Sequence, residues 1–244
     1  MTAAPTLEVT DLRAGYAAGV DILSGVSLAA AAGAVTLVIG PNGAGKSTLL
    51  RAIFGLIPPV SGRVLLRGRD VTGSPPNRLK AAGVGYVTQE INTFPLLTVE
   101  ENLLMGAWVF RSDRARLARR LEQVYATFPV LKGRRRDRAG LLSGGQGRML
   151  AVARELMASP ALLLIDEPTV GLAPNLVAGV YDLLAAAKSA TGAAILLVEQ
   201  NVEQALPLAD HVYLLNLGRV KVEGPGREFS NARVRALVQE CLLS

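Results

Sequence analysis

Residues 40–48 read Gly-Pro-Asn-Gly-Ala-Gly-Lys-Ser-Thr, directly after the apolar run Val35 to Ile39 and before a stretch of helical composition. This is the spacing G-x-x-x-x-G-K-[ST] in the strand-before, helix-after setting that binds phosphate. Gly40, Gly43 and Gly45, with Asn42 among them, let backbone amides curl around an anion. The helix that follows adds the positive end of its dipole. Lys46 is placed to reach β- and γ-phosphates, Ser47 to offer a hydroxyl to Mg²⁺, and Thr48 to lie near an α-phosphate.

Three further sets of residues could act on the same nucleotide. The run Leu162 to Ile165 ends in Asp166 and Glu167. A carboxylate at the C-terminal end of a buried strand meets the phosphate loop of its neighbour. Asp166 is therefore a Mg²⁺ candidate, and Glu167 is a candidate to orient or deprotonate an attacking water. Gln89 closes the run Val84 to Thr88; its amide could touch Mg²⁺ or that water, or be an ordinary polar strand end. Tyr16 could stack on adenine or cap an antiparallel layer, and the residues alone leave both readings open. The third set is Leu-Leu-Ser-Gly-Gly-Gln-Gly-Arg, residues 141–148. Its serine and paired glycines can turn amides toward an anion at a helix start, with the helix proper expected from Arg148. The phosphate loop already accounts for one ligand, so this second cradle lacks an obvious one.

These groups need elements to hold them. Val35 to Ile39, Val84 to Thr88, Leu162 to Ile165 and Ala194 to Val198 are dense apolar runs that predict buried parallel strands. Leu7 to Val9, Val20 to Leu23 and Arg63 to Leu66, the last after a Pro-Pro-Val-Ser-Gly turn, predict an antiparallel edge layer. Helices are expected at Lys46 to Phe54, Leu176 to Ser189 and Val202 to Ala209. Tyr213 to Leu215 and Arg219 to Val222 predict a hairpin, followed by a short amphipathic helix after Asn231. Between Gln89 and Ala158 the chain is almost strand-free, with helices expected over Thr98 to Trp108 and Ser112 to Thr127. The order is α/β, a single domain over 1–244. A core with an antiparallel β layer spans 1–88 and 159–244, and a helical insert spans 89–158.

Composition narrows the classes. No stretch joins 18 apolar residues, so no membrane span is expected. The N-terminus lacks a basic patch followed by an apolar segment, which argues against a secretory signal. One cysteine, Cys241, builds no intrachain disulfide, and one histidine, His211, builds no multi-histidine metal site. The net charge of +6 gathers at Arg111 to Arg120 and Lys132 to Arg138. That run reads as a solvated face ahead of a docking or lipid-headgroup surface. Without interleaved aromatics or a recognition motif it does not read as a nucleic-acid site.

Taken together these motifs resemble the ATP-binding subunit of the ATP-binding-cassette transporters, over essentially the whole chain. Gly40 to Thr48 matches that family's phosphate loop, Gln89 its glutamine loop, and Leu142-Ser143-Gly144-Gly145-Gln146 its signature. Asp166 and Glu167 match its Mg²⁺ aspartate and catalytic glutamate, and Tyr16 falls at its adenine-stacking aromatic. The resemblance implies a P-loop nucleoside triphosphatase core that binds ATP with Mg²⁺ and pairs head to tail with a second such subunit. Ser143, Gly144 and Gly145 would then face the γ-phosphate held by the partner, which supplies the ligand the second cradle lacks. Phe94 and Leu96, just past the glutamine loop, would line a groove for a membrane subunit.

Two departures from the broad family stand out. Ala173, within Gly-Leu-Ala-Pro, replaces a usual aspartate, and Gln200, within Val-Glu-Gln-Asn, replaces a usual histidine. An amide can hydrogen-bond a γ-phosphate but cannot titrate near neutral pH. The pair is similar to the second ATP-binding subunit of bacterial branched-chain amino acid importers. That resemblance implies a peripheral position at the cytoplasmic membrane face, a non-identical ATPase partner (or a homodimer when isolated), two permease subunits and an extracytoplasmic binding protein. Urea or short-amide importers, a lipopolysaccharide exporter ATPase and a weakly hydrolysing regulatory subunit are the alternatives. A soluble cassette acting on ribosomes or DNA is disfavoured by the single phosphate loop and the lack of a long heptad segment.

Overall fold

Alternation within short strands decides the layering. The computed structural model describes residues 5–17, 19–200 and 202–243. Its strands are β1 (Leu7–Ala14), β2 (Leu23–Ala30), β3 (Val35–Ile39), β4 (Pro59–Leu66), β5 (Arg69–Asp70), β6 (Val84–Val87), β7 (Leu162–Asp166), β8 (Ala194–Val198), β9 (His211–Asn216) and β10 (Arg219–Pro225). Its helices are α1 (Lys46–Ile53), α2 (Pro76–Ala81), α3 (Val99–Gly106), α4 (Arg114–Thr127), α5 (Pro129–Gly133), α6 (Gly144–Leu156), α7 (Pro174–Thr191), α8 (Val202–Ala205) and α9 (Asn231–Leu243).

The larger sheet has the order β10-β9-β3-β8-β7-β6, parallel except for the terminal β9–β10 hairpin. Both faces are covered, as the unbroken apolar runs require. Val35, Leu37 and Ile39 of β3 pack with Leu163 and Ile165 of β7 on the side of α6 and α7. Val38, Leu162 and Leu164 pack on the other side, against α1 and the antiparallel sheet β2-β1-β4-β5. Each fully buried aliphatic side chain contributes about 1.5–3 kcal/mol. Among the described residues no sheet strand lies between β6 and β7, only helices, turns, loops and one isolated bridge between Thr98 and Arg138.

The sequence expectations fail where glycine bends a strand or a cap moves a helix end. Val20 is exposed, and β2 begins only at Leu23. Gly25, at φ 94°, interrupts its alternation, so the buried positions run Leu23, Val26, Leu28, Ala30 and no simple period marks the strand. The Pro-Pro-Val-Ser-Gly turn is instead the first half of β4. Pro59 occupies the opening strand position, where proline is tolerated. Gly62 there lies so close to β1 that a Cβ would meet the Asp11 carbonyl at 2.5 Å. The helix expected over 202–209 stops at Ala205 and continues as a 3₁₀ turn carrying Pro207. Likewise Trp108 falls in a separate 3₁₀ turn after α3, and α4 starts at Arg114 because Asp113 caps it. The short elements β5, α2 and α5 carry too few residues to show a period.

Candidate functional site

The carboxyl ends of β3 and β7 and the N-terminus of α1 converge on one cavity of about 520 Å³. Tyr16 and Ile22 line one part of it; Asn42, Gly43, Gly45, Lys46, Ser47 and Thr48 line another; Gln89, Glu167, Val170 and Gln200 complete the wall. Residues from five separate segments therefore meet where α1 points its unpaired amides. The loop itself is forced by packing. At Gly40 a Cβ would lie 2.1 Å from the Leu215 carbonyl oxygen, and Gly45 precedes α1 at φ 101°. No side chain caps α1, and no acidic residue sits in its first turn, so its N-terminus stays open to an anion.

The polar groups in the cavity hold one another. Lys46 is buried, and its Nζ donates to the carbonyls of Gly40 at 3.0 Å and Pro41 at 3.3 Å. It also lies 3.5 Å from Glu167 Oε1. The other oxygen of Glu167 accepts from Gln89 Nε2 at 3.2 Å, so one carboxylate joins the phosphate loop to the segment after β6. Glu167 has φ 42°, a left-handed conformation that costs a residue with a Cβ about 1–3 kcal/mol. Its amide donates to the Val198 carbonyl at 2.9 Å, and this bond to the end of β8 helps hold the strained turn.

Asp166 sits deeper. Ser47 Oγ donates to its Oδ1 at 2.9 Å and the Tyr86 hydroxyl to its Oδ2 at 3.3 Å. Burial raises its pKa above the ordinary aspartate value, and the neighbouring Glu167 charge adds to that against the pull of Ser47. The same burial, reinforced by the Asp166 charge, pushes Tyr86 up to about 12. A desolvated carboxylate bonded to a hydroxyl at the edge of a phosphate cradle is the donor set a hard divalent cation takes. Tyr16 is exposed, and its hydroxyl accepts from Arg51 at 2.9 Å while its ring borders the cavity.

The segment 142–146 is not part of this cavity. Helix α6 starts at Gly144, four residues before the expected Arg148, because Ser143 and Gln146 form a reciprocal capping box. Gln146 Oε1 accepts from the Ser143 amide at 3.1 Å and from Arg134 at 2.7 Å. Ser143 and Gly144 are exposed, and Leu172 and Leu176 pack beneath Gly144 and Gly145. The sequence therefore located a helix start correctly and misjudged its first residue.

Sequence reading gave no site role to two buried charged residues near the cavity. Glu199, fully buried, accepts from Thr169 Oγ1 at 2.8 Å and from the Gln200 amide at 2.9 Å. Arg148, also fully buried, reaches the segment after β6. The signals were present: a charged residue ending an apolar strand in Val-Glu-Gln, and an arginine at a core-facing helix position. Asn201, quoted with Gln200, lies outside the described residues.

Fold and cradle together define a P-loop nucleoside triphosphatase, with a six-stranded mixed sheet, an antiparallel sheet and helices between two core strands. A family model described as "ABC transporter" matches residues 23–170, and the chain belongs to that family as one of its ATP-binding, ATP-hydrolysing subunits. It is 40% identical to a probable branched-chain amino acid transport ATP-binding protein LivF of Archaeoglobus fulgidus, over 91% of this chain and 93% of that one. It is 38% identical to the high-affinity branched-chain amino acid transport ATP-binding protein BraG of Pseudomonas aeruginosa, over 90% and 94%. A nucleotide-free ATP-binding cassette from an ABC transporter superposes with a TM-score of 0.84 at 28% identity, over 99% of this chain and 100% of that chain. The ADP conformation of another such cassette gives 0.85 at 29% identity, over 99% of each.

Proposed function

We propose that this chain is the ATPase subunit that powers a bacterial importer of branched-chain amino acids. The observation that supports the hydrolytic role is the Lys46–Glu167–Gln89 bridge across the cavity mouth. It holds a carboxylate beside the cradle with no bond to the protein that binding a phosphate could not replace. The likeness to LivF and BraG over nine-tenths of the chain supports the substrate class.

In this reading Tyr16 stacks on adenine, and the amides of Gly40 to Thr48 wrap the phosphates. Lys46 exchanges its carbonyl partners for β- and γ-phosphate oxygens. Ser47, Asp166 and Gln89 hold Mg²⁺, which when bound draws charge from the β- and γ-phosphates. Glu167 accepts the proton of the attacking water, and Gln200 donates to the γ-phosphate. The exposed amides at the start of α6, with Ser143, Gly145 and Gln146, close the γ-phosphate side of a partner's site. The strand-poor stretch 89–158 forms a helical subdomain on the core 1–88 and 159–244. Phe94 and Leu96, both exposed, receive a permease subunit there.

No helix among the described residues is long and apolar enough to cross a membrane. In the proposed importer the subunit acts from the cytoplasmic face, through two permeases fed by an extracytoplasmic binding protein.

The test has two parts. Purified Glu167→Gln should hydrolyse MgATP about 10²–10⁴-fold more slowly than the unaltered chain. Equal, near-zero rates for both would instead identify a regulatory subunit, the reading that Ala173 and Gln200 favour. Purification from native membranes should then bring down two polytopic subunits and a second cassette. The companion binding protein should select leucine, isoleucine or valine over urea and short amides. A single exporter-like membrane partner would overturn the importer.

A further inference from the structure

Arg148 is among the largest fully buried side chains of the molecule, and its hydrogen-bond acceptors among the described residues are backbone carbonyls, not carboxylates. Its guanidinium instead spans from α6 to the chain just past β6. Nη1 donates to the Thr88 carbonyl at 2.8 Å and Nη2 to the Gln89 carbonyl at 2.6 Å. Nε finds no acceptor. Burial works against the charged form, and the Glu199 carboxylate is the charge that offsets it. Guanidinium is the one side chain whose planar fork satisfies two successive carbonyls at once while remaining ionised.

The neighbouring residues press the same two segments together. Gly147 has no side chain, and a Cβ there would come within 3.3 Å of Ile91 Cγ2, so its absence lets Ile91 lie against the helix. Six residues further along α6, Arg154 donates to the carbonyl and the side-chain oxygen of Asn92, both at 2.7 Å. Residues 88–92 are thus bound to α6 along their length. One end of that unit carries Gln89, whose amide holds Glu167. That end also carries Ser143 and the open amides that begin α6, one helical turn before Arg148.

We propose that Arg148 is a positioning residue that makes the Gln89 segment and the N-terminus of α6 move as one body. A change at Gln89 in one subunit then shifts the α6 amides offered to the partner's nucleotide. The inference rests on the reading of this chain as an ATPase whose α6 N-terminus serves a partner's site. Arg148 touches neither nucleotide and acts only through the carbonyls it holds. An aliphatic replacement keeps the packing and loses the link. A glutamine keeps amide donors and should restore part of it.

The experiment compares the full chain with Arg148→Met, Arg148→Gln and Leu79→Ala. The last removes a buried side chain on α2, packed in the core on the other side of the large sheet from α6, and controls for general destabilisation. Steady-state MgATP hydrolysis, measured well below every melting temperature, should fall at least tenfold in kcat for Arg148→Met. Nucleotide affinity of the monomer should stay within twofold, and Arg148→Gln should lie between the two. Leu79→Ala should lower the melting temperature and leave kcat unchanged. Hydrogen exchange of the amides of residues 88–92, read without nucleotide, should be about tenfold faster in Arg148→Met. The inference is overturned if kcat is unaltered, or if Leu79→Ala loses as much at the same melting temperature. Should the unaltered chain not hydrolyse ATP, the functional reading fails, and the exchange rates alone decide on Arg148: unchanged protection refutes the link.

Discussion

The phosphate loop and the start of α6 are both glycine-rich turns into helix N-termini, but they spend their polar groups differently. Around the loop the side chains are already engaged: Lys46 with two carbonyls and Glu167, Ser47 with Asp166, Glu167 with Gln89. At α6 the Ser143–Gln146 box satisfies the cap, while Gly144 and its amide face solvent. The first site is an open cavity lined by the chain's own residues, whose internal bonds a nucleotide would replace. The second is a helix end with Ser143 and Gly144 exposed, and in the proposed arrangement it is half a site. A helix N-terminus attracts anions by geometry and dipole alone. The difference lies in whether the same chain closes over it.

That contrast breaks most sharply at Ser143. Ser143→Ala removes the cap oxygen, which costs about 1 kcal/mol in stability. In the proposed arrangement it also removes a contact to the partner's nucleotide. MgATP turnover should fall roughly tenfold, as for a lost charge-assisted hydrogen bond of about 1.4 kcal/mol, while monomer nucleotide affinity stays unchanged. Loss of monomer affinity would mean that the two regions share one ligand in cis.

Asp166→Asn sharpens the account of the loop side through a stability effect of definite sign. The folded pKa of Asp166 is raised, so the unaltered protein is fully favoured below the ordinary aspartate pKa. It loses that stability as pH rises through the folded value. Thermal melts without nucleotide should therefore show Asp166→Asn equal to the parent in acid. It should become the more stable chain as pH climbs above the ordinary aspartate range, while Mg²⁺-dependent hydrolysis is lost. A constant difference across pH would show that the buried charge is not the cause.

The smallest change concerns the loop that packs under α6. Ala173 sits at the N-cap of α7 with no side chain to accept an amide. Ala173→Asp should add about 0.5–2 kcal/mol to unfolding stability by denaturant titration, because it supplies both cap and dipole complement. An unchanged midpoint would mean that the cap geometry does not admit the carboxylate.

How much of this was legible depended on the kind of signal. The phosphate loop, Asp166 and Glu167 announce themselves because their expected roles fix residue type and spacing together; the cavity gathers Lys46, Ser47, Thr48 and Glu167 with Tyr16, Gln89 and Gln200, and Ser47 bonds Asp166 behind it. The central strands read correctly because both faces are buried and the apolar runs are unbroken. The antiparallel layer read less well, since Gly25 and Gly62 bend β2 and β4 out of any simple period. For Arg148 and Glu199 the sequence shows a charged residue at an apolar position but not what it holds. Each lies in one segment and acts on a backbone or side chain dozens of residues away, so local spacing carries no trace of the partner.

The central claim is that Ser143 and the amides after it serve a nucleotide held by another subunit. The most direct measurement is sedimentation of the Glu167→Gln chain with and without MgATP, beside the same chain carrying Ser143→Arg. The account predicts a monomer without nucleotide and a dimer with it. Ser143→Arg should stay monomeric at saturating MgATP while binding the nucleotide as tightly as before. An Ser143→Arg chain that dimerises as well as its parent, or that no longer binds nucleotide as a monomer, would contradict it.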